Sequence, residues 1–158
     1  MIFLYRNKLL IEINFPNVTE IGDDFLYFNE SLREINLPNA KEIGDCFLYW
    51  NNSLTEINFP NVIKIEDNFL QYNHLLEQIN LLNAKEIGDC FLIYNESLRE
   101  INLPNVIEIG EHFLFFNNTL MEINMPKITE IGDCFLYYNK SLKEAKKLNK
   151  SKIDYHRT

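Results

Sequence analysis

The chain consists largely of a 22-residue unit that recurs six times. One copy reads NESLREINLPNAKEIGDCFLYW from Asn29, and the other copies begin at residues 7, 51, 73, 95 and 117. All glycines share one position of the unit: Gly22, Gly44, Gly88, Gly110 and Gly132. All prolines share another: Pro16, Pro38, Pro60, Pro104 and Pro126. Because a unit of this length cannot bury an apolar face alone, the repetition predicts a solenoid whose units stack on one another.

Each unit is predicted to contain short strands. In the copy that begins at Asn29, Ile35 and Leu37 alternate with polar residues, which is typical of a strand with one buried face. Pro38 lacks an N–H group and is expected to end that strand. A second extended segment, KEIG, leads to a turn at Gly44. The prediction is a β-rich repeat solenoid of about six coils, with stacked strands roughly 4.8 Å apart.

The spaced pattern L-x-x-I-x-L-P-x-x-x-x-I-G-x-x-F-x-x-x-N-x-S-L resembles a leucine-rich repeat, in particular the BspA-like class, over about residues 3–143. The resemblance implies a right-handed curved array in which the proline-terminated strand lines the concave face. It also implies an interaction scaffold, since many relatives are cell-surface proteins or adhesins. The chain departs from these relatives by carrying asparagine where they commonly have a small residue or cysteine, at Asn29, Asn51, Asn73, Asn95, Asn117 and Asn139.

The repeat array is predicted to span residues 1–143, with a truncated first coil at 1–6, and to be followed by a basic cap or tail at 144–158. Ser141 and Glu144 have capping-box spacing, which predicts a short C-terminal helix. Residues 139–158 contain seven Lys/Arg and two Asp/Glu, whereas the rest of the chain contains eight and 21. So acidic an array argues against a nucleic-acid partner, which would favour basic grooves.

The sequence leaves the cellular compartment open. No apolar run approaches the roughly 18 residues of a membrane span, and the N-terminal MIFLYRNKLL does not have the form of a signal peptide. The chain as written is expected to be cytoplasmic, or exposed at the cell surface if it is a fragment of a longer protein.

The concave face is the first candidate binding surface. Its outward positions form columns of glutamates and asparagines, from which the predicted partner-binding residues are Glu34, Asn36, Glu56, Asn58, Gln78, Asn80, Glu100 and Asn102. One interpretation is a solvated face whose asparagines bond from coil to coil. The other is a docking surface for a basic or polyhydroxylated partner, because a cationic partner relieves repulsion between carboxylates about 5 Å apart.

An aromatic stripe is the second candidate surface. One position of the unit carries Phe28, Trp50, Tyr72, Tyr94 and Phe116, and the preceding position carries Tyr27 and Tyr49. Two adjacent positions of an extended stretch cannot both face inward, so at least one column is predicted to be exposed. Exposed aromatic rows commonly mark protein or sugar contacts, although both columns could instead form an outer core layer.

Other chemistry finds little support in the sequence. Cys46, Cys90 and Cys134 lie two coils apart, about 10 Å, which is too far for a disulfide, and they form no tetrahedral metal set. Their spacing suggests an ancestral duplication of two coils. A column of acids after the glycine position, such as Asp23 and Asp45, is expected to bond to backbone N–H groups. No cofactor, no metal and no catalytic residues are predicted.

The sequence therefore predicts a non-catalytic binding module whose partner is a protein, for example a basic protein or one that resembles extracellular matrix. Two alternatives stay open: a purely structural spacer within a larger repeat protein, and a carbohydrate-binding adhesin module that uses the tyrosines. One irregularity is Glu66, which replaces the turn glycine and is expected to destabilise the array if that position requires a positive φ.

Overall fold

The computed structural model describes residues 4–142 and the backbone of residues 144–146. Within these residues the chain forms thirteen short strands, two in each repeat and one after the last. The three-residue strands are β1 (Glu12–Asn14), β3 (Glu34–Asn36), β5 (Glu56–Asn58), β7 (Gln78–Asn80), β9 (Glu100–Asn102), β11 (Glu122–Asn124) and β13 (Glu144–Lys146). The two-residue strands are β2 (Glu20–Ile21), β4 (Glu42–Ile43), β6 (Lys64–Ile65), β8 (Glu86–Ile87), β10 (Glu108–Ile109) and β12 (Glu130–Ile131).

The strands are parallel, and each pairs with the equivalent strand of the next repeat, except that β7 and β9 do not pair. The even-numbered strands form one six-stranded sheet in the order β12-β10-β8-β6-β4-β2. The odd-numbered strands form a four-stranded sheet, β1-β3-β5-β7, and a three-stranded sheet, β13-β11-β9. Pairing is in register, so that Ile13 faces Ile35 and Ile43 faces Ile65. This arrangement confirms the predicted β-solenoid.

The core runs along the inside of the stack as columns of like residues. The central isoleucine of β3 is 3% exposed, while the glutamate and asparagine beside it point outward. A column of phenylalanines stacks from repeat to repeat, with neighbouring ring centroids 4.9 to 5.8 Å apart, at Phe25, Phe47, Phe69, Phe91, Phe113 and Phe135. Continuous columns of this kind bury apolar surface that a single repeat could not bury alone.

A buried asparagine ladder ties the repeats together. Asn73 is fully buried, and its Oδ1 accepts from the backbone N–H of Asn51 at 3.0 Å. Its Nδ2 donates to the carbonyls of Leu48 at 2.9 Å and Gln71 at 3.0 Å. Asn95 and its equivalents repeat the arrangement. The ladder satisfies backbone groups in the connections, which have no sheet partner.

The segment between the even strand and this asparagine has an unusual backbone. In each full repeat three alternate residues have positive φ, for example Cys46 (55°), Leu48 (54°) and Trp50 (58°). The stretch is therefore not extended, contrary to the premise from which one exposed aromatic column was predicted. The first of these positions holds Asp24, Asn68 or His112 in the other repeats, and these residue types tolerate left-handed backbone well. The cysteine position is thus a left-handed position.

The glycines serve a different purpose from the one that the sequence suggested. None of them has a positive φ. A Cβ on Gly44 would instead lie 2.5 Å from Asp23 Oδ1 and 2.9 Å from Asp23 N in the preceding repeat. Glycine is required here by the close approach of two backbones. The premise that Glu66 strains a positive-φ turn is therefore wrong, and Glu66 instead pairs with Lys64 at the surface.

The C-terminal helix prediction is wrong where it can be compared with the structure. Residues 144–146 form β13, which pairs in parallel with β11 and sets Ala145 opposite Ile123. The chain keeps the repeat register to this point, so its backbone bonds to the free edge of β11 instead of coiling into a helix. Residue 143 and the rest of the predicted cap or tail, 147–158, lie outside the described residues.

Candidate functional site

The outward side chains of β1, β3, β5, β7, β9 and β11 form one surface, which we call the Glu/Asn face. Seven of its eight predicted residues are exposed, namely Glu34, Asn36, Glu56, Asn58, Gln78, Glu100 and Asn102, and Asn80 is half-buried. Register places Glu12 directly opposite Glu34, and Glu100 opposite Glu122. The strands therefore present carboxylates in columns, as the sequence predicted.

The asparagines of the Glu/Asn face bond in pairs. Asn36 Nδ2 donates to Asn14 Oδ1 at 3.2 Å, and Asn80 Nδ2 donates to Asn58 Oδ1 at 2.8 Å. A third pair follows, in which Asn124 donates to Asn102 at 2.9 Å. Each bond joins an odd repeat to the even repeat after it. The amide ladder on this face is thus a series of doublets.

The face is interrupted between β7 and β9, which belong to separate sheets. A cavity of about 450 Å³ lies there, and we call it the notch; its lining residues are Glu77, Gln78, Ile79, Ser97, Arg99, Glu100 and Asn102. Asn80 Oδ1 is inaccessible to solvent and has no hydrogen-bond partner. The even strands remain paired at this level, with Glu86 opposite Glu108. Sequence reasoning did not predict the notch.

A second column of glutamates lies on the even strands, and sequence reasoning overlooked it as a surface. Its members are Glu20, Glu42, Glu86, Glu108 and Glu130, interrupted by Lys64. The signal was present in the recurring E-I-G segment. Lys64 forms an ion pair with Glu66, which raises the pKa of Lys64 through that hydrogen bond and charge.

The acid column after the glycine position bonds to the backbone. Asp23 Oδ1 accepts from the N–H of Asp45 at 3.0 Å, and Asp45 Oδ1 accepts from the N–H of Asp67 at 3.0 Å. Asp89 does the same for Glu111 at 2.7 Å. This is the bonding that the sequence predicted, and it assigns the column a structural role.

The predicted aromatic stripe is a continuous stack of rings. Neighbouring centroids are 4.4 to 5.5 Å apart and the planes deviate by at most 20° through Phe28, Trp50, Tyr72, Tyr94, Phe116 and Tyr138. The five predicted members are half-buried and Tyr138 is 42% exposed. The preceding column stacks Tyr27 on Tyr49 at 4.6 Å, but its next members, Gln71 and Ile93, are buried.

The stack hides the ring faces and exposes their edges. Each inner ring has a neighbour on both sides, and the Arg6 guanidinium lies 5.3 Å from the centroid of Phe28 at one end. A sugar that packs on an aromatic ring needs an uncovered face, whereas the row of edges offers an apolar strip. Burial and the neighbouring Tyr72 and Tyr27 raise the pKa of Tyr49 to about 12.

The cysteines are free, and Cys46, Cys90 and Cys134 are each half-buried. Burial raises the pKa of the Cys46 thiol, and the carboxylate of Asp24 adds to the effect. Burial and Asp89 raise the pKa of Cys90 in the same way. A raised pKa keeps a thiol protonated and lowers its reactivity. Among residues 4–142, no three His, Cys, Asp or Glu side chains are grouped so that they could hold a metal ion.

The described part of the chain contains no helix that is long and apolar enough to cross a membrane. Searches among curated proteins and among solved structures each returned no match. A family model described as BspA type Leucine rich repeat region matches residues 2–114 in six copies. With the in-register parallel strands and the 22-residue period, this match shows that the chain belongs to the BspA-type leucine-rich repeat family.

Proposed function

We propose that the protein is a non-catalytic scaffold that binds a protein partner through its Glu/Asn face. The observation that carries the proposal is the register of the strands, which places the exposed carboxylates of Glu12 and Glu34 directly opposite one another. Membership of a family of repeat proteins often related to surfaces or interactions supports the same class of function.

The partner is expected to carry positive charge on an extended or flat surface. Like charges directly opposite one another on a sheet destabilise it, and a cationic partner removes that repulsion. Among the residues that the structure describes, no Lys, Arg or His forms an ion pair with Glu34, Glu56 or Glu100. Binding of this kind contributes to association rate and specificity, and it weakens as salt is added.

Two triple variants test the proposal with the same change of net charge. The first, E34Q/E56Q/E100Q, neutralises three carboxylates of the Glu/Asn face. The second, E42Q/E86Q/E108Q, neutralises three in the column of the even strands and is the matched control. The probe is a fluorescein-labelled octapeptide of alternating arginine and serine, added to the full chain at low salt.

We expect the first triple variant to weaken binding about tenfold or more and the control to weaken it only slightly. Equal losses would mean that net charge alone attracts the peptide, which would overturn the assignment to this face. A wild-type chain that does not bind the probe would contradict the proposal and favour a structural spacer.

The aromatic stripe is a second candidate surface, favoured by its half-exposed stack of rings. Trp50 lies in this stripe and is the only tryptophan, so its fluorescence reports on that surface alone. If a partner protects Trp50 from quenching by acrylamide, the stripe is its docking site. Unchanged quenching in a complex places the partner elsewhere. A glycan array checks the sugar alternative, for which the covered ring faces give no support.

A further inference from the structure

The Glu/Asn face contains a cavity, the notch between β7 and β9. The gap is local to this face, because β8 and β10 remain paired behind it. The backbone does not bridge the gap either, since no register pairs connect β7 with β9. The notch is therefore an opening in the binding surface and not a separation of the whole solenoid.

The floor of the notch is apolar. Ile79 is only half-buried, whereas the isoleucines at the same position of the other repeats are 0 to 4% exposed. The gap therefore uncovers a part of the core that every other repeat buries. Apolar surface left open in this way favours contact with the hydrocarbon part of a partner side chain.

The rim of the notch is polar and carries more negative than positive charge. Glu77 and Glu100 are exposed carboxylates on its two sides, against one guanidinium, that of Arg99. Neither carboxylate is held in an ion pair with a described side chain. Gln78, Ser97 and Asn102 add further hydrogen-bonding groups.

The strand beside the notch also keeps an unused acceptor. Asn80 Nδ2 is engaged with Asn58, which fixes the orientation of the amide, and Asn80 Oδ1 has no donor. Asn36, the second member of the first doublet, likewise has no amide bond to the next repeat, but Asn36 is exposed to solvent. Asn80 Oδ1 is inaccessible to solvent, so the strand beside the notch holds an acceptor that water does not satisfy.

We infer that the notch is the anchor pocket of the Glu/Asn face and receives one lysine or arginine side chain of an extended basic partner segment. The long methylene stem of such a residue packs on the Ile79 floor while its cationic head reaches Glu77 and Glu100. A basic side chain is the class that matches both the apolar floor and the acidic rim. The inference rests on the proposed function of this face.

A pair of double variants separates the notch from the rest of the face. E77Q/E100Q removes both carboxylates of the notch, and E12Q/E34Q removes two carboxylates of the same face at its N-terminal end. All four positions are exposed, so both variants are expected to fold, and their melting temperatures check this. The probe is the labelled arginine–serine octapeptide, with an ornithine–serine octapeptide as the short-stem comparison.

We expect E77Q/E100Q to weaken binding about tenfold and E12Q/E34Q less than threefold, roughly the loss of one charge-assisted contact against that of a screened surface charge. The ornithine peptide should bind more weakly than the arginine peptide. Equal effects of the two variants would overturn the anchor pocket while leaving the Glu/Asn face as the binding surface. No effect of either variant, or no binding by the wild-type chain, would overturn both proposals.

Discussion

Substitution of Asn73 by alanine should be among the most damaging single changes in the array. Asn73 is fully buried and bonds to three backbone groups of two repeats. Of these, the Gln71 carbonyl also accepts from the N–H of Trp50, so it keeps a partner. The N–H of Asn51 and the carbonyl of Leu48 would each lose the side-chain partner that they have in the structure.

The magnitude follows from these two orphaned groups. A buried backbone group without a partner costs about 1–3 kcal/mol, so the loss of two partners in Asn73→Ala should lower the free energy of unfolding by about 2–6 kcal/mol. The matched control is Asn36→Ala, which removes an amide of the same kind from the exposed Glu/Asn face. Asn36 donates to Asn14 there, and both can bond to water instead. Its cost should be at most about 0.5 kcal/mol.

Urea denaturation followed by circular dichroism and by Trp50 fluorescence measures both variants. Repeat arrays can unfold in parts, so the two probes must give the same transition before a single free energy is assigned. If Asn73→Ala lost no more stability than Asn36→Ala, the buried ladder would not be what satisfies the connections, and the reasoning would be refuted.

Five further substitutions test the backbone and the half-buried Tyr49. Gly44→Ala should lower stability by about 1–3 kcal/mol because its Cβ would meet Asp23, whereas Gly22→Ala, where the structure leaves open space, should be neutral or slightly stabilising. Cys46→Asn should keep or raise the melting temperature, because asparagine tolerates the left-handed backbone of that position, whereas Cys46→Val should lower it. Since the folded pKa of Tyr49 is about 12 against an ordinary value of 10.0, its contribution to stability is present below pH 10 and is lost as pH rises through 12. The phenolate absorbance and the melting temperature of Tyr49→Phe against wild type measure this loss.

Each of these expectations can fail in a recognisable way. Equal effects of alanine at Gly44 and Gly22 would mean that the coils separate easily at the glycine column. A Cys46→Val variant as stable as Cys46→Asn would show that the left-handed backbone is not a constraint at that position. If Tyr49→Phe lost stability in alkali as steeply as the wild type, other tyrosines would dominate the titration.

The strand positions and the core could be predicted because each depends on local chemistry that the repeat makes visible. Alternation of Ile35 with its polar neighbours predicted the strand, and the missing N–H of Pro38 predicted its end. The acid column was assigned correctly to backbone bonding. What these features share is a residue type that signals the role within each repeat, although the bonds of the acid column run between repeats.

The failures concern properties that depend on two repeats at once. Leu48 and Trp50 are not residue types that favour positive φ, so the left-handed segment gave no local signal. The need for glycine at Gly44 comes from the preceding repeat, not from its own φ. A helix was predicted from Ser141 and Glu144. Residues 144–146 instead form a strand, because the free edge of β11 can bond a further strand in register.

The notch lies at one of two junctions on the Glu/Asn face where no amide bond joins neighbouring repeats. The amide bonds of that face join the repeats in doublets, so a joint falls between β3 and β5 and another between β7 and β9. The first joint keeps one register pair, Asn36 with Asn58, while the second keeps none. The chain shows the same two-repeat period in its cysteines and in the alternation of Val62 with Ala84 in the core.

The second joint is confined to one side of the solenoid, because the six-stranded sheet on the other side stays continuous. A partner anchored in the notch would contact the repeats on both sides of a joint. Its binding would then stabilise the array where the odd-numbered strands do not pair, because a ligand that binds only the folded form raises its stability.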